Sequence, residues 1–236
     1  MSIKKKIDDI IKNPKKYATA VDVTELEKTL RYLSNKYYNT GKSVVSDEIF
    51  DLLKDVLKER DPANPFLGEI GAPINKSKVK LPFPMGSLDK IKPETKELEK
   101  WINKYEGPYV LSDKLDGTSA QFYKISDTEY KLFTRGDGQY GQDISHLIKY
   151  VMSKNIKLSK ITNGTSVRGE LIMTKTNFQK IADKFANARN TVSGLVNSKK
   201  VDTNMANMVN FVAYSILHPR YNQIDQMKLL EHYNFI

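Results

Sequence analysis

Apolar side chains recur through the first quarter of the chain at the spacing of one helical face. Ile3, Ile7, Ile10 and Ile11 predict a helix over 3–12, broken at Asn13-Pro14. Thr24, with Glu27 three residues on, reads as a capping box that opens a second helix. Leu26, Leu30 and Leu33 line its apolar face to about residue 37, and Asn39-Thr40-Gly41 makes a turn. Ser46 caps a third helix, with Asp47 and Glu48 in the first turn, where the helix dipole favours carboxylates. Ile49, Leu52, Leu53, Val56 and Leu57 form its buried stripe. Asp61-Pro62-Ala63-Asn64-Pro65 closes this region and marks a boundary between units 1–65 and 66–236.

Beyond that boundary the period changes. Pro73, Pro82 and Pro84 mark an extended linker, and a helix is expected over 94–105. Short strands are predicted at 109–113, 119–125, 130–134, 166–173 and 209–216, with helices at 143–154, 176–184 and 223–233. Strands and helices without strict alternation predict an α+β fold.

Composition narrows the classes. The chain has 236 residues, enough for one large domain or a medium and a small one. Hydrophobic residues make up 39%, enough for a packed core, and no apolar run is long enough to span a bilayer. The first residues, Met1-Ser2-Ile3-Lys4-Lys5-Lys6, lack the apolar stretch of a secretion signal. Cysteine is absent, which removes disulfides, thiol catalysis and cysteine-based zinc sites, and His146, His218 and His232 are scattered. A cytoplasmic protein with no membrane partner is expected. The formal charge of +10 favours polyanionic partners, although a lysine-rich soluble protein has the same balance.

The stretch richest in chemistry is Lys114-Leu115-Asp116-Gly117. An apolar, β-prone run delivers a lysine, a carboxylate and a glycine, then resumes as a strand through Gln121-Phe122-Tyr123. A lysine held at a strand end by packed neighbours becomes a nucleophilic amine; an Asp-Gly turn beside an exposed lysine uses the same residues. Further segments follow the same two-sided pattern. Asp47 and Asp51 share a helix face at i and i+4, where like charges repel and a cationic ligand group would relieve them. Pro84-Met85-Gly86-Ser87-Leu88-Asp89 reads as a linker with a Gly-Ser turn. Thr134-Arg135-Gly136-Asp137-Gly138, then Gly141-Gln142-Asp143, has the glycines of a hairpin tip and an arginine that a hairpin does not require. Val167-Arg168-Gly169-Glu170-Leu171 ends a strand with a carboxylate, and Phe185-Ala186-Asn187-Ala188-Arg189-Asn190 precedes Gly194.

Taken in order, these segments resemble the N-terminal part of bacterial-type NAD-dependent DNA ligases, over residues 37 to 234. The resemblance implies a small helical Ia domain that holds the nicotinamide mononucleotide half of NAD, followed by most of a nucleotidyltransferase domain. It implies that Lys114 takes AMP from NAD as a phosphoramidate, with Mg²⁺ neutralising phosphate charge. Tyr37, Asp47 and Asp51 would face the nicotinamide half; Ser87 and Leu88 would line the adenine pocket. Asp116 and Arg135 would also meet the nucleotide, and Glu170 would hold the ribose hydroxyls and help place a divalent metal. Arg135 and Arg189 would meet phosphate or nicked double-stranded DNA, whose 5′-phosphate receives AMP before the 3′-hydroxyl displaces it in replication and repair.

The match also departs from the family. Tyr38 stands where the family has histidine, Phe50 where it has tyrosine, and Ser112 where it has an adenine-reading glutamate. Asp113 is displaced from that position by one residue, which on a strand reverses the face. Asn197 replaces an arginine. The family continues past the point where this sequence stops, with two strands whose lysines contact the α-phosphate, so a second chain supplying the remaining domains is among the expected partners. An ATP-dependent DNA or RNA ligase and a non-catalytic nucleic-acid-binding relative are the alternatives.

Overall fold

In the computed structural model the described residues are 3–40, 44–68, 78–88, 91, 95–153, 155–185, 187–198 and 200–235; the side chains of residues 3–5, 38–40 and 47 lie outside the description. The chain opens with helices α1 (Ile3–Lys12), α2 (Pro14–Ala20), α3 (Val23–Thr40), α4 (Asp47–Arg60) and the short α5 (Pro65–Gly68). Asn13 caps α2, its side chain accepting from the Lys16 amide at 3.0 Å. The cap of α3 is Asp22, whose carboxylate accepts from the Glu25 amide at 2.7 Å. The helix therefore starts before the expected Thr24, and Glu27 instead binds Arg31 and Asn64. Ser46 caps α4 as expected, and its hydroxyl beside Glu48 holds that carboxylate below its ordinary range. Ile10, Leu26, Leu30, Leu53, Leu57 and Phe66 bury themselves in one cluster among these helices.

The second unit contains β1 (Val79–Lys80), α6 (Glu97–Lys104), β2 (Thr118–Lys124), β3 (Tyr130–Thr134) and β4 (Tyr140–Gly141). It continues through α7 (Ile148–Val151), β5 (Ser166–Met173), α8 (Lys175–Gln179), α9 (Ala188–Asn197), α10 (Thr203–Ala206), β6 (Val209–His218) and α11 (Gln223–His232). The main sheet is antiparallel throughout, in the order β3-β2-β5-β6, while β1 pairs with β4. Alternation along each strand sends Ala120, Phe122, Leu132, Val167, Leu171 and Phe211 to one face. There they pack against Ile148 and Val151 of α7, Val192 and Leu195 of α9, and Leu230 of α11. Lys124, on β2, is also buried: its ammonium donates to the carbonyls of Leu158 (2.8 Å) and Ile161 (2.7 Å), tying the strand end to the turn that follows α7.

The opposite face of the sheet carries Ser119, Gln121, Arg168 and Glu170, and the site is built there. Residues 109–113 form no strand, because a strand needs a pairing edge and none of the described strands pairs with them. Tyr109 instead leans on Trp101 of α6 with ring centroids 5.1 Å apart, and Leu111 is 98% exposed. The helix α9 was not anticipated from the sequence pattern. The helices expected over 143–154 and 176–184 are shorter, as α7 with a 3-10 turn and as α8.

Candidate functional site

A chain segment crosses the open face of the sheet. The Leu81 amide donates to Gln139 O at 2.8 Å and the Met85 amide to Gly138 O at 2.7 Å. Between them the wholly buried Gln121 binds the Phe83 backbone, its amide donating to Phe83 O at 2.7 Å. Leu81 and Met85 bury against Phe133 beneath the segment, and the Phe83 ring stacks on His218 at 4.6 Å. Residues 81–85 are thereby anchored at several points, and Ser87 and Leu88 lie exposed just beyond the last of them, Leu88 at 66%.

The hairpin after β3 supplies Arg135. Gly136 and Gly138 adopt φ of 55° and 94°, conformations that side-chain-bearing residues resist. The Asp137 carboxylate accepts from the amides of Gln139 (3.0 Å) and Tyr140 (2.7 Å), which closes the turn. The Arg135 amide donates to Ser119 O at 2.9 Å, so the arginine leaves the hairpin beside the β2 entrance.

Arg189 enters from α9. The Asn187 side chain caps this helix by accepting from the Asn190 amide at 2.7 Å, which sets Arg189 in the first turn. Thr191, Val192, Leu195 and Val196 bury the opposite side of α9, and Ser193 and Thr118 share a hydroxyl hydrogen bond at 3.0 Å. The Arg189 guanidinium pairs with the Asp116 carboxylate at 3.1 Å and lies over the Tyr37 ring, 5.0 Å from its centroid. Tyr37 belongs to α3, so this contact joins the helical unit to the sheet unit.

Glu170 is the buried carboxylate of the site. The Ser119 hydroxyl donates to it at 2.8 Å, and the charges of Arg189, Arg168 and Arg135 all act on it. Burial outweighs those favourable contacts and pushes its carboxyl above the ordinary glutamate range. Among the described residues no group of three or more acidic or histidine side chains gathers as a cation site. Glu170 and Asp116, both engaged by arginine charge, do not by themselves fit a divalent metal.

Five anticipated residues therefore converge: Tyr37, Asp116, Arg135, Glu170 and Arg189. Lys114 sits two residues before Asp116 and is exposed in the loop leading to β2, not packed at a strand end. Asp51 is half-buried on α4, and the Asp47 side chain lies outside the described residues. The sequence reading gave no role to Gln121, Arg168 or Tyr214. Arg168 is only 8% exposed, and its Nε donates to the Tyr214 hydroxyl at 2.9 Å. The signal that could have exposed Gln121 and Arg168 is alternation: both fall on the face of Ser119 and Glu170, where an apolar-faced strand places residues away from its core.

The family model for the NAD-dependent DNA ligase adenylation domain matches residues 75–236. The chain is 44% identical over 231 residues to a DNA ligase of Acanthamoeba polyphaga mimivirus, covering 94% of this chain and 36% of that protein. It is 35% identical over 209 residues to putative DNA ligase 205R of Invertebrate iridescent virus 6, covering 85% and 32%. A DNA ligase of Pelagibacter ubique is 31% identical over 199 residues, covering 76% and 29%. The chain thus spans about a third of the length of these relatives. With the family model matching residues 75–236, more than half of its length, the chain belongs to the family of NAD-dependent DNA ligase adenylation domains.

Proposed function

We propose that this chain carries out the self-adenylation step of an NAD-dependent DNA ligase. The observation that carries the reading is the convergence of Arg189, Arg135 and Glu170 at the sheet end from which the Lys114-Leu115-Asp116-Gly117 loop emerges. The neutral Lys114 amine attacks the α-phosphorus of NAD; the new bond is N–P, the bond that breaks is P–O, and nicotinamide mononucleotide leaves with the electron pair. The amine's proton passes to water. Arg135 and Arg189 offset charge on the phosphate oxygens. Glu170 holds the ribose hydroxyls, Ser87 and Leu88 face the adenine, and Tyr37, Asp47 and Asp51 face the nicotinamide half. Mg²⁺ bound together with NAD would supply neutralisation of phosphate charge, since the described residues of the site do not fit the ion by themselves.

The AMP is then passed to the 5′-phosphate of a nick in duplex DNA, in replication and repair, with further domains or a second chain completing the ligase. The positive balance of the chain supports a DNA partner. Two separate hydrophobic clusters support a division into a helical Ia-like unit, 1–65, and an adenylation unit, 66–236, although Phe66 buries in the helical cluster and draws the start of the second unit into the first. No described helix is long and apolar enough to cross a membrane, and a cytoplasmic location is proposed.

The test is intact-protein mass after incubation with Mg²⁺ and either NAD or ATP, for wild type and Lys114→Ala. An AMP adduct from NAD alone, absent in the variant, is the expected result. An adduct from ATP instead, or one that survives in Lys114→Ala, overturns the reading.

A further inference from the structure

Arg168 is a largely buried cation, 8% exposed, that keeps donors available on its terminal nitrogens. Its Nε donates to the Tyr214 hydroxyl, and no carboxylate among the described residues lies within salt-bridge distance of it. The guanidinium also lies over the Tyr214 ring, 5.7 Å from its centroid, and its charge acts on Glu170. Its terminal nitrogens are not among the side-chain atoms buried without a partner, so their donors stay open to a further acceptor at the site. The backbone around it is shaped to hold it. Arg168 pairs with Ser215 and Gly169 with Ala213, so Tyr214 is an extra residue in β6, a bulge of the kind that re-aims a side chain. That bulge brings the phenol to the guanidinium. On the other side, Arg168 is directly opposite Gln121, the residue that fixes the crossing segment at Phe83. The floor of the open face at this level is therefore set on both flanks of Arg168.

Its place along the sheet gives its use. The loop bearing Lys114 and Asp116 enters at the Thr118–Leu171 pair; Ser119 and Glu170 form the next pair along that face, and Gln121 and Arg168 the one after. Arg168 lies two residues beyond Glu170, roughly 7 Å further from the lysine loop. A nucleotide with its phosphorus against Lys114 and its ribose at Glu170 carries its base over Arg168. We propose that Arg168 is a base-contacting residue: its terminal guanidinium nitrogens donate to an acceptor nitrogen of the adenine ring. This rests on the nucleotide reading given above and deepens it, since it adds a charged donor to a pocket in which Ser112 stands where the family resemblance calls for a glutamate. A guanidinium suits the task because its donors are fixed in a plane that matches ring acceptors.

The experiment is titration calorimetry of AMP and of 1-deaza-, 3-deaza- and 7-deaza-AMP against wild type and Arg168→Met, with thermal melts of both proteins. In wild type, affinity falls at least about tenfold for the one analogue that lacks the contacted nitrogen. In Arg168→Met, AMP binds at least about tenfold more weakly, and that analogue binds no worse than AMP. Because the analogues are compared on the wild-type protein as well, a variant that fails to fold does not decide the matter. Equal affinity of wild type for all four nucleotides overturns the proposal. So does an Arg168→Met loss shared equally by AMP and every analogue, which marks a phosphate contact instead. A wild type that binds no AMP and forms no adduct from NAD removes the nucleotide site itself, and this contact with it. A wild type that forms the adduct but is blind to the ring nitrogens leaves the site standing and sinks Arg168 alone.

Discussion

Gly117→Ala measures how closely the lysine loop is fitted to the sheet. Gly117 has no positive φ, so its lack of a side chain answers to space and not to dihedral freedom. A Cβ built there lies 2.1 Å from the Leu171 carbonyl oxygen and 2.9 Å from Ile172 Cγ2, against the 3.4 Å at which ordinary contact begins. The nearer obstacle is backbone in the middle of β5 and cannot rotate aside. The entrance of β2 must therefore move by more than about 1 Å, carrying Asp116 and Lys114 with it. Overpacking of this kind costs about 1–3 kcal/mol, and the rigid oxygen places it toward the upper end. A displacement of about 1 Å at the reacting group lowers rate by about 100-fold. The assay pairs urea unfolding, followed by far-ultraviolet circular dichroism, with the rate of adduct formation from NAD. Gly194→Ala is the internal control. It sits mid-helix in α9 with nothing within 4 Å of the new Cβ, so the same substitution there stabilises by about 0.5–1 kcal/mol. If Gly117→Ala unfolds at the wild-type urea midpoint and labels at the wild-type rate, the close approach to Leu171 is not what fixes this glycine.

Glu170→Gln tests the buried carboxyl. Folding raises its pKa, so the ionised form is disfavoured in the native state, and stability from this group falls as pH rises through the ordinary glutamate range toward the raised value. Glutamine removes that loss. The variant's stability relative to wild type should therefore be greater at pH 8 than at pH 4 in urea melts, and a difference that shrinks or reverses toward alkaline pH refutes the assignment. Lys124→Met leaves the carbonyls of Leu158 and Ile161 without their donor while sparing the burial of an ammonium. The net expected loss is about 1–3 kcal/mol, with faster amide exchange confined at first to the 156–161 turn; unchanged exchange there contradicts the tie.

What the sequence disclosed follows from how locally each feature is encoded. The strands at 130–134 and 166–173 were legible because alternation writes them residue by residue, and Ser46 was legible because a cap acts within one turn. The run 109–113 has the same β-prone residues, yet pairing is a property of the neighbour and not of the run. The helix α9 was hidden by Thr191, Val192, Gly194 and Val196, all poor helix formers, which burial overrides. Asp22 and Thr24 are both capping residues two positions apart, and only packing chose between them. In the site, contiguous motifs announced Asp116, Arg135, Glu170 and Arg189. Gln121 and Arg168 lie 47 positions apart and meet only through strand register, while Tyr214 depends on a bulge that no local pattern marks.

The stacking of Arg189 on Tyr37 has a thermodynamic corollary. A half-buried contact of this kind is worth about 0.5–2 kcal/mol, small enough to exchange and large enough to bias. Arg189 also answers to Asp116 and to the field at Glu170, so its position is shared between the two units of the chain. Any ligand that draws Arg189 away from the ring loosens α3 from α9, and by reciprocity any force that parts α3 from α9 changes that ligand's affinity by the same factor. Separation of α3 from α9 and occupancy of the arginine are thus one equilibrium seen from two ends.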